Sequence, residues 1–532
     1  MRVGKGMRIS EIAIIAILVG VIVVPLGAMF VNIKGDAFTK VFTNNGFFTA
    51  LVNSLLATTL ATLISLVIAY ALAWAVNRTN IKFKAFWSVV LILPMLIPSI
   101  SHGSGLIILF GQNGIITNMF SAKSSIYGLW GIVIGSVLYS YPVAFLMISD
   151  VLKYQDYSPY AAASVLRIPK LRQFTAITMP YMKKPLISVV FATFTLIFTD
   201  YGVPLSVGGK FKTLPVMLFE EAVGMMNYSV GSVIGLVLIV PALIAFLFDL
   251  FNKDKSRASA VSQPFTNDKN GTRDIIAYVI CSLVTLFTLM IFTSFCVQAF
   301  AKKFPHDKTF SFANFSKAFN NGAGVFLLNS LLMSILTALI GTIVAFIIAY
   351  FTARGKTKTS KALHLLSITS LAIPGLVLGL SYVIIFKQTF FYGTVVILIM
   401  VNIVHFVASP YLMIYNALGK VHESIEDVGL ILGVSRIRII TGVIIPQTKY
   451  TLFEMFSYFF VNSMMTISAV SFLSTTDNKP LSLLINQFEA YGMIECAAVV
   501  AIIILLTNVA MKLIVGAIKK FGEKKNDNKK TV

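Results

Sequence analysis

Apolar residues run along this chain in long blocks, and short polar or basic segments separate them. A helix needs roughly 20 apolar residues to cross the hydrocarbon of a bilayer. That rule places spans near 10–32, 51–76, 86–110, 128–149, 186–207 and 229–251. A second set falls near 275–299, 325–352, 363–386, 392–415, 452–474 and 494–517. The pattern predicts an all-α polytopic membrane protein of about twelve transmembrane helices, arranged as two six-helix repeats.

The repeat is visible in the residues. Asn53-Ser54-Leu55-Leu56 recurs 276 positions later as Asn329-Ser330-Leu331-Leu332, and Ile97-Pro98 recurs at the same offset as Ile373-Pro374. A parallel duplication puts two equivalent halves around one pseudo-two-fold axis, with a pathway between them. The expected layout is a first half over 1–252, a polar linker over 253–274 that contains Pro264, a second half over 275–518 and a basic tail over 519–532.

Composition supports a lipid environment. Hydrophobic residues make up 57% and charged residues 12% of the 532 positions, and mean hydropathy is +0.85. A soluble domain carries about a quarter charged residues. The net charge of +22 does not point to nucleic acid, because Lys and Arg sit in short segments between apolar runs. Placing Met1 in the cytoplasm puts nearly every dense basic cluster inside, with the 300–324 loop as the main exception. Both termini are therefore expected in the cytoplasm. The stretch after the basic Met1–Arg8 reads as a retained first helix, not a cleaved signal. Cys281, Cys296 and Cys496 lie in or near apolar runs with no CxxC or Cys/His cluster, so neither a metal site nor a cofactor is expected.

Two long basic segments follow the fourth span of each half. The first runs Ser158-Pro-Tyr-Ala161-Ala162-Ala163 through Arg167 to Pro180. The second runs Ile425-Glu-Asp427-Val428-Gly429 through Gly433 to Pro446. Each proline lies nineteen residues after Ala161 or Asp427, and the two segments align at an offset of 266. Each reads as two short amphipathic helices joined by a turn. Gly433 permits a left-handed turn, and Pro180 and Pro446 mark entry to the next span. Arg167 stands where the first turn would want glycine, which leaves that turn's geometry open.

The segments resemble the coupling motif of ABC importer permeases: Glu-Ala-Ala, three residues, Gly, nine residues, Ile, one residue, Leu-Pro. The departures are Ala161 for Glu and Arg167 for Gly in the first copy, and Asp427, Val428 and Gly429 for Glu-Ala-Ala in the second. The resemblance implies that Ala161, Ala162, Ala163, Arg167, Pro180, Asp427, Val428, Gly429, Gly433 and Pro446 couple the chain to separate ABC ATPase subunits, expected as a homodimer. It also implies an extracytoplasmic solute-binding protein and a place in the bacterial plasma membrane. No G-x-x-x-x-G-K-[ST] loop is present to cradle a nucleotide, and no catalytic constellation appears, so the chain is not expected to be an enzyme.

Fused two-half permeases of this kind resemble the branch importing ferric ion and its relatives importing phosphonates such as 2-aminoethylphosphonate. Thr199-Asp-Tyr-Gly-Val-Pro204 with Gly208-Gly209, and Val461 to Phe472, resemble the phosphonate group, which is the expected substrate class; ferric ion is the alternative. Candidate pathway residues are Asp200, Asn462, Ser463, Thr466 and Ser468. Asp200 either faces the pathway or sits solvated in an external loop. Asn462 and Thr466, four apart, would share a helix face, lining a pathway or bonding between spans. His102 and His405 read as packed histidines, and Glu454 as interfacial. A secondary transporter with a six-plus-six repeat would instead bury charges in its spans, and would not need the paired basic segments. A membrane-embedded enzyme would need clustered Asp, Glu, His or Ser residues, which the sequence does not show.

Overall fold

A computed structural model of the chain describes residues 5–120, 126–251, 263, 265–355, 357–422 and 424–530. Most of the predicted linker, including Pro264, lies outside these residues. Among the described residues eight helices are long and apolar enough to cross a membrane: Arg8–Val31, Asn45–Arg78, Leu129–Lys153, Lys170–Phe198, Tyr228–Phe248, Gly271–Phe300, Ala313–Gly355 and Ile494–Gly522. Three bent pairs add spans: Lys84–Leu96 with Ser99–Met119, Lys358–Ala372 with Gly375–Phe386, and Val395–Phe406 with Ala408–Leu418. The helix Ile445–Met465 occupies the place of Lys170–Phe198 in the second half. It is long enough to span, but Gln447, Lys449, Glu454 and Asn462 make it less apolar. The chain is a helical, multi-pass membrane protein, and its described strands are one hairpin, Ala301–Lys303 with Asp307–Phe310.

The recurring Ile-Pro pairs are where the third spans break. The bend is 97° at Ile97-Pro98 and 105° at Ile373-Pro374. Ile97 and Ile373 are both extended, as the residue before proline prefers. The recurring Asn-Ser pairs also have one role in both halves. Asn53 Nδ2 donates to Lys212 O at 3.0 Å, and Asn329 Nδ2 to Asp477 O at 2.9 Å. Ser54 Oγ accepts from Leu214 N at 2.8 Å, and Ser330 Oγ from Leu481 N at 2.7 Å. Each pair pins the segment that follows the fifth span, so polar groups inside the bundle are satisfied there.

The halves are interleaved. The first span, Arg8–Val31, lies on the second half, where Val21 O accepts from Tyr382 Oη at 2.7 Å. The seventh span, Gly271–Phe300, lies on the first half, where Thr288 Oγ1 meets Tyr141 Oη at 3.1 Å. The last span reaches the first bend, with Asn508 Nδ2 donating to Leu96 O at 2.9 Å. Glu11, fully buried, accepts from Thr357, Thr359 and Ser360 Oγ at the start of Lys358–Ile368. There its negative charge complements the positive end of the helix.

Three helices end elsewhere than expected. The span expected over 186–207 stops at Phe198, and a short helix Gly202–Val207 restarts beyond a break. Asp200 causes the restart, because its carboxylate accepts the N–H groups of Gly202 and Val203 at 3.3 and 3.0 Å. The span expected over 452–474 stops at Met465, and Thr466 is extended at ψ 137°. Asn462 and Thr466 therefore do not share one helix face. Farther on, the last helix runs to Lys530, through residues the sequence assigns to a tail.

Candidate functional site

Each half carries a helical hairpin between its fourth and fifth spans. In the first, Ser158–Val165 turns into Lys170–Gln173; in the second, Ser424–Ile431 turns into Arg436–Ile439. The second arm is not a separate helix as expected. It continues through a π-helical turn, Phe174–Thr178 or Ile440–Ile444, into the next span. Pro180 and Pro446 sit just beyond those turns, in the first turn of the helices Met179–Phe198 and Ile445–Met465. The wider turn leaves room before a ring that cannot continue the regular ladder.

The two turns are alike despite Arg167. Arg167 has φ +51° and Gly433 has φ +72°. Ile168 N bonds Ala163 O at 2.9 Å, and Val434 N bonds Gly429 O at 2.8 Å, the same helix-ending motif in both. Ala163 is buried, and Gly429 is pressed on Ile439, whose Cδ1 would lie 2.5 Å from an added Cβ. The tips carry exposed apolar side chains at equivalent positions. Val165, Leu166 and Leu171 are 72–83% exposed, as are Ile431, Leu432 and Ile437. These six tip residues carry no motif of their own in the sequence, although the 266 offset pairs them. Ala161, Ala162, Asp427 and Val428 lie on the first arms of the hairpins.

The hairpin roots are anchored differently. In the second half Arg354 Nε bonds Glu426 Oε1 at 2.7 Å, Tyr350 Oη bonds Glu426 Oε2 at 3.0 Å, and Arg354 Nη2 donates to Val421 O. In the first, Arg78 Nη2 bonds Leu152 O at 2.7 Å and Gln155 Oε1 at 2.6 Å. None of these anchors is legible in the sequence, because each joins residues far apart along the chain.

The other candidate residues gather where the halves meet. Tyr201 Oη donates to Ile467 O at 3.1 Å, across the axis and between repeat equivalents. Asp200 sits in the first break, against a small void lined by Ser54, Thr58, Ser136 and Thr213, and not in an external loop. Ser463 accepts from Asn402 at 3.1 Å within the second half, and Asn462 bonds its own helix at Tyr458 O. Thr466 is buried, and Ser468 lies against Gly375. His102 is buried beside Ser99 O and Tyr139, and His405 packs on Phe406. Glu454 pairs with Lys519 at 3.0 Å. The cysteines are free thiols. Among the described residues no three His, Cys, Asp or Glu side chains are placed to hold a metal.

Outside the spans, Glu489 on the helix Leu481–Ala490 accepts a hydrogen bond from Ser104 of the opposite half. Burial pushes its carboxyl up to about 7, while the Ser104 bond works in the opposite sense. At the 276 offset Ser104 corresponds to Leu380, which has no hydroxyl to donate, so this polar link has no counterpart across the axis.

A duplicated, interleaved helical bundle with matched hairpins on one face has the form of a two-half transport pathway. The profile of the family described as "Binding-protein-dependent transport system inner membrane component" matches residues 61–255 and again 341–521, and the chain belongs to that family. It is the permease component of an ABC importer, of the fused two-half type, and not an enzyme. A protein of Haemophilus influenzae named as a putative ferric transport system permease is 24% identical over 88% of this chain and 78% of its own length. A ferric transport system permease of Actinobacillus pleuropneumoniae is 24% identical over 78% of this chain and 64% of its own. A Salmonella typhi protein named as a putative 2-aminoethylphosphonate transport system permease is 27% identical over 29% of this chain and 54% of its own.

Proposed function

We propose that this permease passes ferric ion, delivered by an extracytoplasmic binding protein, into the cytoplasm. The long similarity to proteins named as ferric permeases supports iron over the phosphonate that the Thr199–Pro204 and Val461–Phe472 stretches suggest. The phosphonate similarity covers under a third of the chain. In this reading the hairpins over 158–180 and 424–446 dock on ATPase subunits, and Ala161, Ala162, Ala163, Arg167, Pro180, Asp427, Val428, Gly429, Gly433 and Pro446 shape them.

One observation carries the docking: the matched triplets Val165, Leu166, Leu171 and Ile431, Leu432, Ile437, left in solvent at both tips. Large apolar side chains exposed together mark an interaction surface. Two equivalent tips suit two equivalent seats, hence an ATPase homodimer. Both termini, the linker over 253–274 and the tail over 519–532 then lie on the cytoplasmic side with the hairpins, in accord with their basic character. The halves 1–252 and 275–518 enclose the pathway, which passes the breaks at Asp200 and Thr466, near Asn462, Ser463 and Ser468. Uptake by proteoliposomes holding permease, ATPase and binding protein, with ferric ion and 2-aminoethylphosphonate supplied separately, tests the substrate. ATP-driven entry of iron is expected; entry of the phosphonate alone would overturn the assignment.

A further inference from the structure

The described part of the stretch that joins the two halves is bound to the first hairpin. Tyr157 N donates to Gln263 O at 3.1 Å, and Gln263 N donates to Asp156 Oδ1 at 3.2 Å. The Phe265 ring stands edge-on to Tyr157 and Tyr160, with centroids 5.1 and 5.2 Å away. The Arg78 guanidinium lies over the same ring, 3.6 Å from its centroid. Asn267 Nδ2 donates to Asn77 O and Thr79 O, and Asn80 Nδ2 donates back to Asp268 O at 2.9 Å. Asp274, where the seventh span begins, accepts Asn80 N at 3.1 Å. Gln263 and residues 265–274 thus strap the inner end of the second span and the root of the first hairpin to the start of the second half.

The repeat gives this strap a meaning. Arg354 lies 276 positions after Arg78, and Glu426 lies 266 positions after Tyr160. In the second half the arginine is held by that acid. The first half keeps the arginine and lacks the acid. Arg78 bonds the neutral Leu152 O and Gln155 Oε1, which leaves its charge without an acid, and an aromatic face offsets such a charge through its quadrupole. Here the ring comes from the linker.

We propose that Phe265 is a positioning residue of the first hairpin: it stands in for the missing acid on Arg78 and makes the linker part of the coupling apparatus. The second hairpin needs no such strap because Glu426 does the work. This rests on the reading of the hairpins as ATPase docking elements.

The test uses the full chain purified with its ATPase in proteoliposomes, with ATP turnover as the readout. Phe265→Leu keeps the apolar bulk and removes the ring; it should lower kcat about three- to tenfold with KM for ATP unchanged. Phe265→Trp should stay near wild type. Tyr160→Glu added to Phe265→Leu puts a carboxylate where the second half has Glu426, at the loss of the Tyr160 bonds to Gln155 and Thr178, and should restore part of the turnover. Wild-type turnover by Phe265→Leu, or an equal loss in Phe265→Trp, would each overturn the proposal. Gly433→Val in the other hairpin is the control. If it too is silent, the docking reading falls along with the strap; if it alone is impaired, the strap falls and the docking reading stands.

Discussion

Tyr201 donates its hydroxyl proton to the backbone carbonyl of Ile467, its own counterpart 266 positions later, at 3.1 Å. Two breaks that interrupt the fifth and eleventh spans thus meet each other on the pseudo-two-fold axis. Gly202 fits there only because it lacks a side chain, since an added Cβ would lie 2.8 Å from Ile467 Cδ1 and 2.3 Å from Ser99 Oγ. The two halves close on one another at this level.

Removing that hydroxyl should loosen the closure without unfolding the bundle. A neutral hydrogen bond contributes about 0.5–1.5 kcal/mol. Tyr201→Phe is expected to raise ATP turnover in the absence of binding protein by roughly two- to tenfold. Measurement in proteoliposomes checks this, and unchanged basal turnover would show that the bond does not hold the halves together.

The hairpin turns make opposite demands on Arg167 and Gly433. A left-handed conformation costs a non-glycine residue about 1–2 kcal/mol. Arg167→Gly should be neutral or stabilising. Gly433→Val should cut ATP-driven transport more than about tenfold while membrane insertion persists, because φ +72° strains a β-branched residue. A Cβ added at Gly433 would meet nothing within 4 Å, so the effect is one of backbone strain and not of a clash. Full transport by Gly433→Val would refute the role of the turn.

Arg354 and Glu426 are 8% and 14% exposed. Deleting one partner leaves a largely buried charge without its counterpart, at a cost of about 3 kcal/mol. Glu426→Gln should lower the melting temperature in detergent, and Glu426→Gln with Arg354→Met should recover part of the loss. Equal melting of wild type and Glu426→Gln would show the pair to be dispensable.

Much of this was legible in the sequence. Ile97-Pro98 and Ile373-Pro374 announced equivalent features, and the structure makes them bends because proline excludes a regular helix there. The spacing from Ala161 to Pro180 and from Asp427 to Pro446 located both hairpins. Asp200 stood out, but not as the residue that ends a span, since a cap at a break resembles a continuing apolar helix in sequence. Arg354 with Glu426, Arg78 with Phe265, and Glu11 with Thr357 join positions far apart in the chain. Periodicity carries no information about such pairs.

Glu489 makes a pH-dependent link between the halves. Its ordinary value of 4.5 is raised to about 7 by burial. A raised acid favours the folded state below pH 4.5, and that contribution is lost as pH rises through about 7. The melting temperature should therefore fall between about pH 4.5 and 7 in wild type, and Glu489→Gln should remove that part of the fall. Identical profiles would contradict the assignment.

The exposed hairpin tips test the account most directly. Leu166→Asp and Leu432→Asp place a charge in each apolar tip, where side chains are already in solvent and folding is not disturbed. Co-purification of the ATPase with the permease is the measurement. Wild type should retain two ATPase subunits, each single variant should bind more weakly, and the double variant should lose them while remaining a folded membrane protein. Full retention by the folded double variant would contradict docking through these two hairpins.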